Sequence, residues 1–154
     1  MLDRHPDHRP PAVMPWQRLL ETVRYEGVYP TAEHARDVTL RVLRALGRQL
    51  TGEVRVDLAA RLPVEAAVEF SGQVPAVEPL TGWGFVKDLA ERGGGSPATA
   101  RWDAGTVLTT LARALDRDLL TRIIDQLPDG YALLFGQAQL KPRPAARDPR
   151  LVAA

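Results

Sequence analysis

The sequence predicts an all-α domain built from two tandem copies of a four-helix unit. Three observations carry that expectation. Apolar residues recur at steps of three and four through the middle of the chain, and no sustained run alternates with the period of a half-buried strand. Capping residues stand where those stripes begin. The chain also matches itself after a shift of 65 residues. In that register Ala35, Arg36, Val42, Leu43, Leu46, Arg48, Leu50, Leu62, Pro63 and Ala67 fall on Ala100, Arg101, Val107, Leu108, Leu111, Arg113, Leu115, Leu127, Pro128 and Ala132. These are ten identities in the 38 gapless pairs from Thr31 to Val68. The two units are expected to pack as one pseudo-symmetric helical domain.

Taken in order, residues 1–14 hold Pro6, Pro10 and Pro11 among scattered charges, with too little apolar surface to offset the entropy of ordering. They read as a disordered arm. A lead helix is expected over about 16–26. A long helix follows over 32–50, with Ala35, Val38, Val42, Leu46 and Leu50 on one face, Thr31 as N-cap and Gly52 as the stop. The third helix, 52–61, ends at Leu62-Pro63, because proline disfavours a helical conformation in the residue before it. A short helix, 64–70, opens after that break. Residues 71–80, with Gly72, Pro75 and Pro79, join the units.

The second unit repeats the plan. Phe85, Val86, Leu89 and Gly93 of a lead helix at 81–92 match Leu19, Leu20, Val23 and Gly27 after a one-residue adjustment. The long helix, 97–115, has Ser96 as N-cap and Pro97 at its first position, where the missing N–H costs nothing. Its stripe is Ala100, Ala104, Val107, Leu111 and Leu115, weakened by Gly105. A third helix at 117–126 is capped by Asp116, and a short one at 129–135 follows Leu127-Pro128. The units thus span about 15–70 and 80–136. Residues 137–154, with Pro142, Pro144 and Pro149 and a small basic excess, read as a second disordered arm.

Several of these residues form a set found together elsewhere. Asp57-Leu58-Ala59-Ala60-Arg61-Leu62-Pro63, the Val42-Leu43-Arg44-Ala45-Leu46 layout and the closing Leu127-Pro128 with Tyr131, Leu134 and Phe135 resemble the bacterial domain of unknown function family numbered 2267. The resemblance covers about residues 16–136. It implies an all-helical duplicated fold and carries over no catalytic residue. Gly93-Gly94-Gly95 departs from the pattern and implies a looser second loop.

Composition narrows the function classes. The 154 residues carry a net charge of +1, without the basic excess that supplies affinity for phosphate backbones. There is no cysteine, which excludes disulfides, thiolate metal sites and cysteine nucleophiles. No apolar run approaches a membrane span, and the polar, proline-rich N-terminus is unlike a secretory signal, so a cytoplasmic location is the default expectation. The scarcity of lysine, only Lys87 and Lys141 against many arginines, suggests a GC-rich bacterial genome.

Candidate chemistry is sparse. His5 and His8 read as solvated tail residues rather than metal ligands. His34, three residues before Asp37, has the spacing of a general-base pair, but its repeat mates Thr99 and Trp102 show no parallel. Gly93-Gly94-Gly95-Ser96 opens a helix yet lacks the phosphate-loop pattern, so it reads as a flexible connection. Arg41, Arg44 and Arg48 line one side of a helix and offer an anionic partner a stripe, though such runs are usually a solvated face. Trp102 brings a large apolar side chain to a position where the first unit has Asp37, which marks it, with Trp83, as a candidate contact surface. The sequence therefore leads to a non-catalytic domain acting through protein contacts or self-association, with no cofactor and no metal. Small-ligand binding between the units, near Trp83 and Trp102, is the alternative. A nucleic-acid accessory role for the arginine stripe is the second alternative.

Overall fold

A computed structural model describes residues 14–138, which fold into eight helices and no strand. Apart from Met14, Gln137 and Ala138, the two arms read at 1–14 and 137–154, with His5 and His8, lie outside the described residues. The helices are α1 (Trp16–Gly27), α2 (Ala32–Gly47), α3 (Gly52–Arg61), α4 (Val64–Ser71), α5 (Gly82–Gly93), α6 (Pro97–Ala114), α7 (Arg117–Gln126) and α8 (Tyr131–Leu134).

Local chemistry sets most of the boundaries. The side chains of Thr31, Ser96 and Asp116 accept the backbone N–H groups of His34, Thr99 and Leu119. Each satisfies one of the orphan donors at a helix start. Thr81 does the same for Gly84 at the start of α5. Both Leu-Pro pairs break the chain as proline sterics require, Leu62 and Leu127 lying in extended conformation.

Two boundaries differ from the sequence reading by more than one residue, each for a tertiary reason. The long helix α2 stops at Gly47 rather than at 50. The Gln49 N–H donates to Leu46 in a tightened last turn, and the Gln49 side chain turns inward to accept the Leu80 N–H at 2.7 Å. Gly52, read both as the terminator after that helix and as the first residue of the third, opens α3 with φ of 65°. The last helix begins at Tyr131 because Gly130 adopts φ of 100°, with the neighbouring Asp129 carbonyl accepting the Gly82 N–H at 2.7 Å. The two backbones are so close that a Cβ on Gly82 would lie 2.6 Å from the Gly130 carbonyl carbon.

The long helices meet at the centre. α2 packs on α6, α1 on α6, α5 on α2, and α3 on α7. Asp57 of α3 and Arg122 of α7, which the 65-residue shift aligns, form an ion pair at 2.7 Å. Leu19, Val42, Leu46 and Phe70 join Phe85, Val107, Leu111 and Ile123 in one core. Burying each such side chain stabilises the fold by roughly 1.5–3 kcal/mol. Arg55 fastens the end of the first half. Its guanidinium stacks on Phe70 and donates to the carbonyls of Gly47, Phe70 and Gln73, satisfying acceptors at the ends of α2 and α4.

Candidate contact surface

The turn between α1 and α2 is held by the start of α6. Gly27 ends α1, and a Cβ there would come 2.1 Å from the Tyr29 ring, so only glycine lets that ring fold back over the helix end. The Tyr29 hydroxyl then donates to Asp103 at 2.6 Å, both residues being buried. Burial, reinforced by the Asp103 carboxylate that accepts its proton, raises the Tyr29 phenol well above its ordinary range. One residue earlier on α6, the Trp102 indole N–H donates to the Gly27 carbonyl at 3.0 Å. Asp103 is thus the buried acceptor of a bond between the two halves, 8% exposed.

Between these anchors stands Val28, with φ of 55°, the only described non-glycine residue with positive φ. This left-handed conformation lets the Val28 and Tyr29 N–H groups bond the carbonyls of Tyr25 and Arg24, which closes α1. A residue with a Cβ gives up roughly 1–2 kcal/mol there, and β-branching makes the position rarer still. The corresponding C-cap of α5 is Gly94, with φ of 70°.

Above this buried bond lies an apolar face. Tyr25 is 83%, Val28 81% and Trp102 54% exposed. Beside them a groove of about 450 Å³ follows α6, with Trp102, Gly105, Thr106 and Thr109 along it and Glu26 of α1 and Leu133 of α8 on its sides. A second depression, lined by Tyr25, Val28 and Tyr29 among others, has Glu26 in common with it. Gly105 faces open space, since a Cβ there would meet nothing within 4 Å. A mid-helix glycine costs roughly 0.5–1 kcal/mol relative to alanine, and no packing among the described residues demands it.

The other predicted contact residues are dispersed. Trp83 is exposed at the start of α5 but is not a wall of the α6 groove, so only Trp102 of the two tryptophans lies beside the space between the halves. Arg44 bonds Glu69 at 2.8 Å and draws that carboxyl below its ordinary range. Arg48 donates to Gln73 and lies 3.8 Å from Asp88, and burial followed by the charge of Arg92 lowers its pKa. Arg41 lies against Gly93, at the end of α5. Two of the three arginines are thus engaged with carboxylates of their own chain. His34 tilts against the Tyr29 ring, with centroids 5.1 Å apart. In the glycine run, Gly94 serves as the left-handed cap of α5. Among the described residues no group of three or more histidine, aspartate or glutamate side chains could hold a metal ion, and no helix is long and apolar enough to cross a membrane.

Sequence reasoning singled out Trp102 as a candidate and gave no such role to Tyr25, Val28, Tyr29 or Asp103. One signal was available. The 65-residue shift aligns Asp103 with Val38, so a carboxylate occupies a position that is apolar in the first stripe. The conformation of Val28 leaves no trace in composition or spacing.

A family model described as an uncharacterized conserved protein (DUF2267) matches residues 16–134, from the first residue of α1 to the last of α8. No curated protein matches the chain.

Proposed function

We propose that this chain, which belongs to the DUF2267 family, is a non-catalytic helical domain that works by holding another protein on the face around Tyr25, Val28 and Trp102. The observation that carries this reading is the exposure of three large apolar side chains on a corner anchored from beneath by the Tyr29–Asp103 bond. Exposed aromatic residues on a rigid support are the usual anchors of protein interfaces, and a contiguous apolar face on a folded domain marks a contact site.

A small ligand in the α6 groove is the second reading, favoured by the Trp102 wall and a volume within the range of ligand sites. The nucleic-acid reading is weakened by the engagement of Arg44 and Arg48 with Glu69 and Asp88. A photo-crosslinking amino acid at Tyr25, with a control at fully exposed Val77, tests the proposal in cells. A discrete protein adduct from position 25 and none from 77 is expected. Absence of any adduct from 25, together with a metabolite that raises the melting temperature and contacts Trp102, would replace it with the second reading.

A further inference from the structure

We infer that the face around Tyr25, Val28 and Trp102 binds a second copy of this chain in a two-fold contact, with Val28 and Tyr25 of each copy seated in the α6 groove of the other. The inference rests on the protein-contact reading above and names its partner.

Two residues on this face are poor choices for the isolated fold, in opposite senses. Val28 puts a β-branched side chain where the equivalent cap of α5 has Gly94, and that side chain is almost fully exposed. Gly105 omits a side chain in the middle of a helix where a Cβ would touch nothing. One adds a projection and the other opens a hollow, and Glu26 borders both depressions. An isologous interface must be complementary to itself, so it needs a projection and its hollow side by side on one surface. A close approach of a neighbouring helix also gives a groove-lining glycine a role that packing among the described residues does not.

Charge points the same way. Exposed Glu21 stands with exposed Arg24 and Arg101 around the apolar residues, and Glu26 pairs with Arg113 of its own chain at 3.4 Å. A patch bearing both signs can oppose acid to base across a two-fold axis, whereas a strongly acidic or strongly basic partner would meet like charges. Area sets the strength. At their exposures of 83% and 54%, Tyr25 and Trp102 leave on the order of 300 Å² of aromatic side-chain surface to cover. That is about a third of the ~800 Å² per partner in a stable interface. Val28, Leu133 and the groove walls extend it toward an interface at the lower end of that class, hence a reversible dimer.

Sedimentation of the full chain from about 1 μM to about 1 mM, the range over which weak and moderate contacts dissociate, tests the inference. The chain is expected to pass from monomer to dimer. Val28→Gly, which removes the projection, and Gly105→Leu, which fills the hollow with a good helix former, should each weaken dimerisation by about tenfold or more. Val28→Gly should do so while its melting temperature stays equal or rises, which separates loss of contact from loss of fold. A monomer at every concentration, or a dimer indifferent to both substitutions, overturns the inference. Crosslinking from position 25 separates the two levels of the argument. An adduct of two copies supports the dimer. An adduct only to a different protein overturns the dimer and leaves the protein-contact reading standing, and no adduct from a monomeric chain removes both.

Discussion

Replacing Tyr29 by phenylalanine deletes one oxygen and leaves the ring that lies against Gly27. Asp103 then loses its donor while 8% exposed. Removing one partner from a buried pair exposes the full desolvation penalty of the other, and a hydrogen bond to a charged group contributes roughly 1.5–3 kcal/mol. The 2.6 Å separation is short, as charge-assisted bonds are. Tyr29→Phe should therefore destabilise by about 2–3 kcal/mol, lowering the melting temperature of a body this size by roughly 8 °C. Asp103→Val installs the residue aligned with it in the first half, Val38, and strands a neutral hydroxyl at a cost of about 1–2 kcal/mol. In the double variant neither polar group remains, and stability should return to within about 1 kcal/mol of the parent. The cycle would thus give a coupling energy of roughly 3 kcal/mol, and at least about 2 kcal/mol. Urea unfolding at neutral pH, with m unchanged across the four proteins, measures it. A double variant whose loss equals the sum of the two single losses would refute the assignment of this bond as the tie between the halves.

Three further outcomes follow from the same structure. Gly47→Ala should cost at least about 3 kcal/mol or prevent folding, because its Cβ would lie 2.3 Å from the Phe70 carbonyl oxygen. Gly105→Ala should instead gain about 0.5–1 kcal/mol, and melting temperatures that move in the same direction for both would contradict the packing described. Stability should also fall in alkali. Burial raises the phenols of both Tyr29 and Tyr131 above the unfolded value near 10, so above pH 10 the unfolded chain binds fewer protons than the folded one. Stability is then fully present below pH 10 and declines through pH 10–12, by up to about 1.4 kcal/mol per pH unit for each tyrosine. Tyr29→Phe should halve that slope, and an unfolding free energy that stays flat from pH 9 to pH 12 would show the phenols are not protected.

The helices were legible because their causes are local. The stripes of α2 and α6, the caps at Thr31, Ser96 and Asp116 and the breaks at Leu62-Pro63 and Leu127-Pro128 all act within a turn or two of the chain. Where the helix ends were misjudged, the cause lay far away in sequence. Gln49 leaves the helical path to serve Leu80, and Gly130 yields its turn to Gly82. The contact face divides in the same way. Trp102 could be suspected from its register. Whether Arg44 and Arg48 face a partner or their own chain depended on Glu69 and Asp88, which the fold brings to them.

By itself, then, the sequence determined the helical class, the order of the helices and nearly all of their bounds, since helix stripes, caps and proline breaks are short-range properties of the chain. Tertiary structure alone decided which carboxylate is buried and what meets it. Tyr29 and Asp103 are 74 residues apart, and a single hydroxyl has no partner until α6 is laid across the end of α1. Beside that crossing Val28 stands in its left-handed turn, with its side chain, Tyr25 and Trp102 on the outside. No spacing rule encodes such a surface, because it is made by the meeting of two segments that neither one specifies alone.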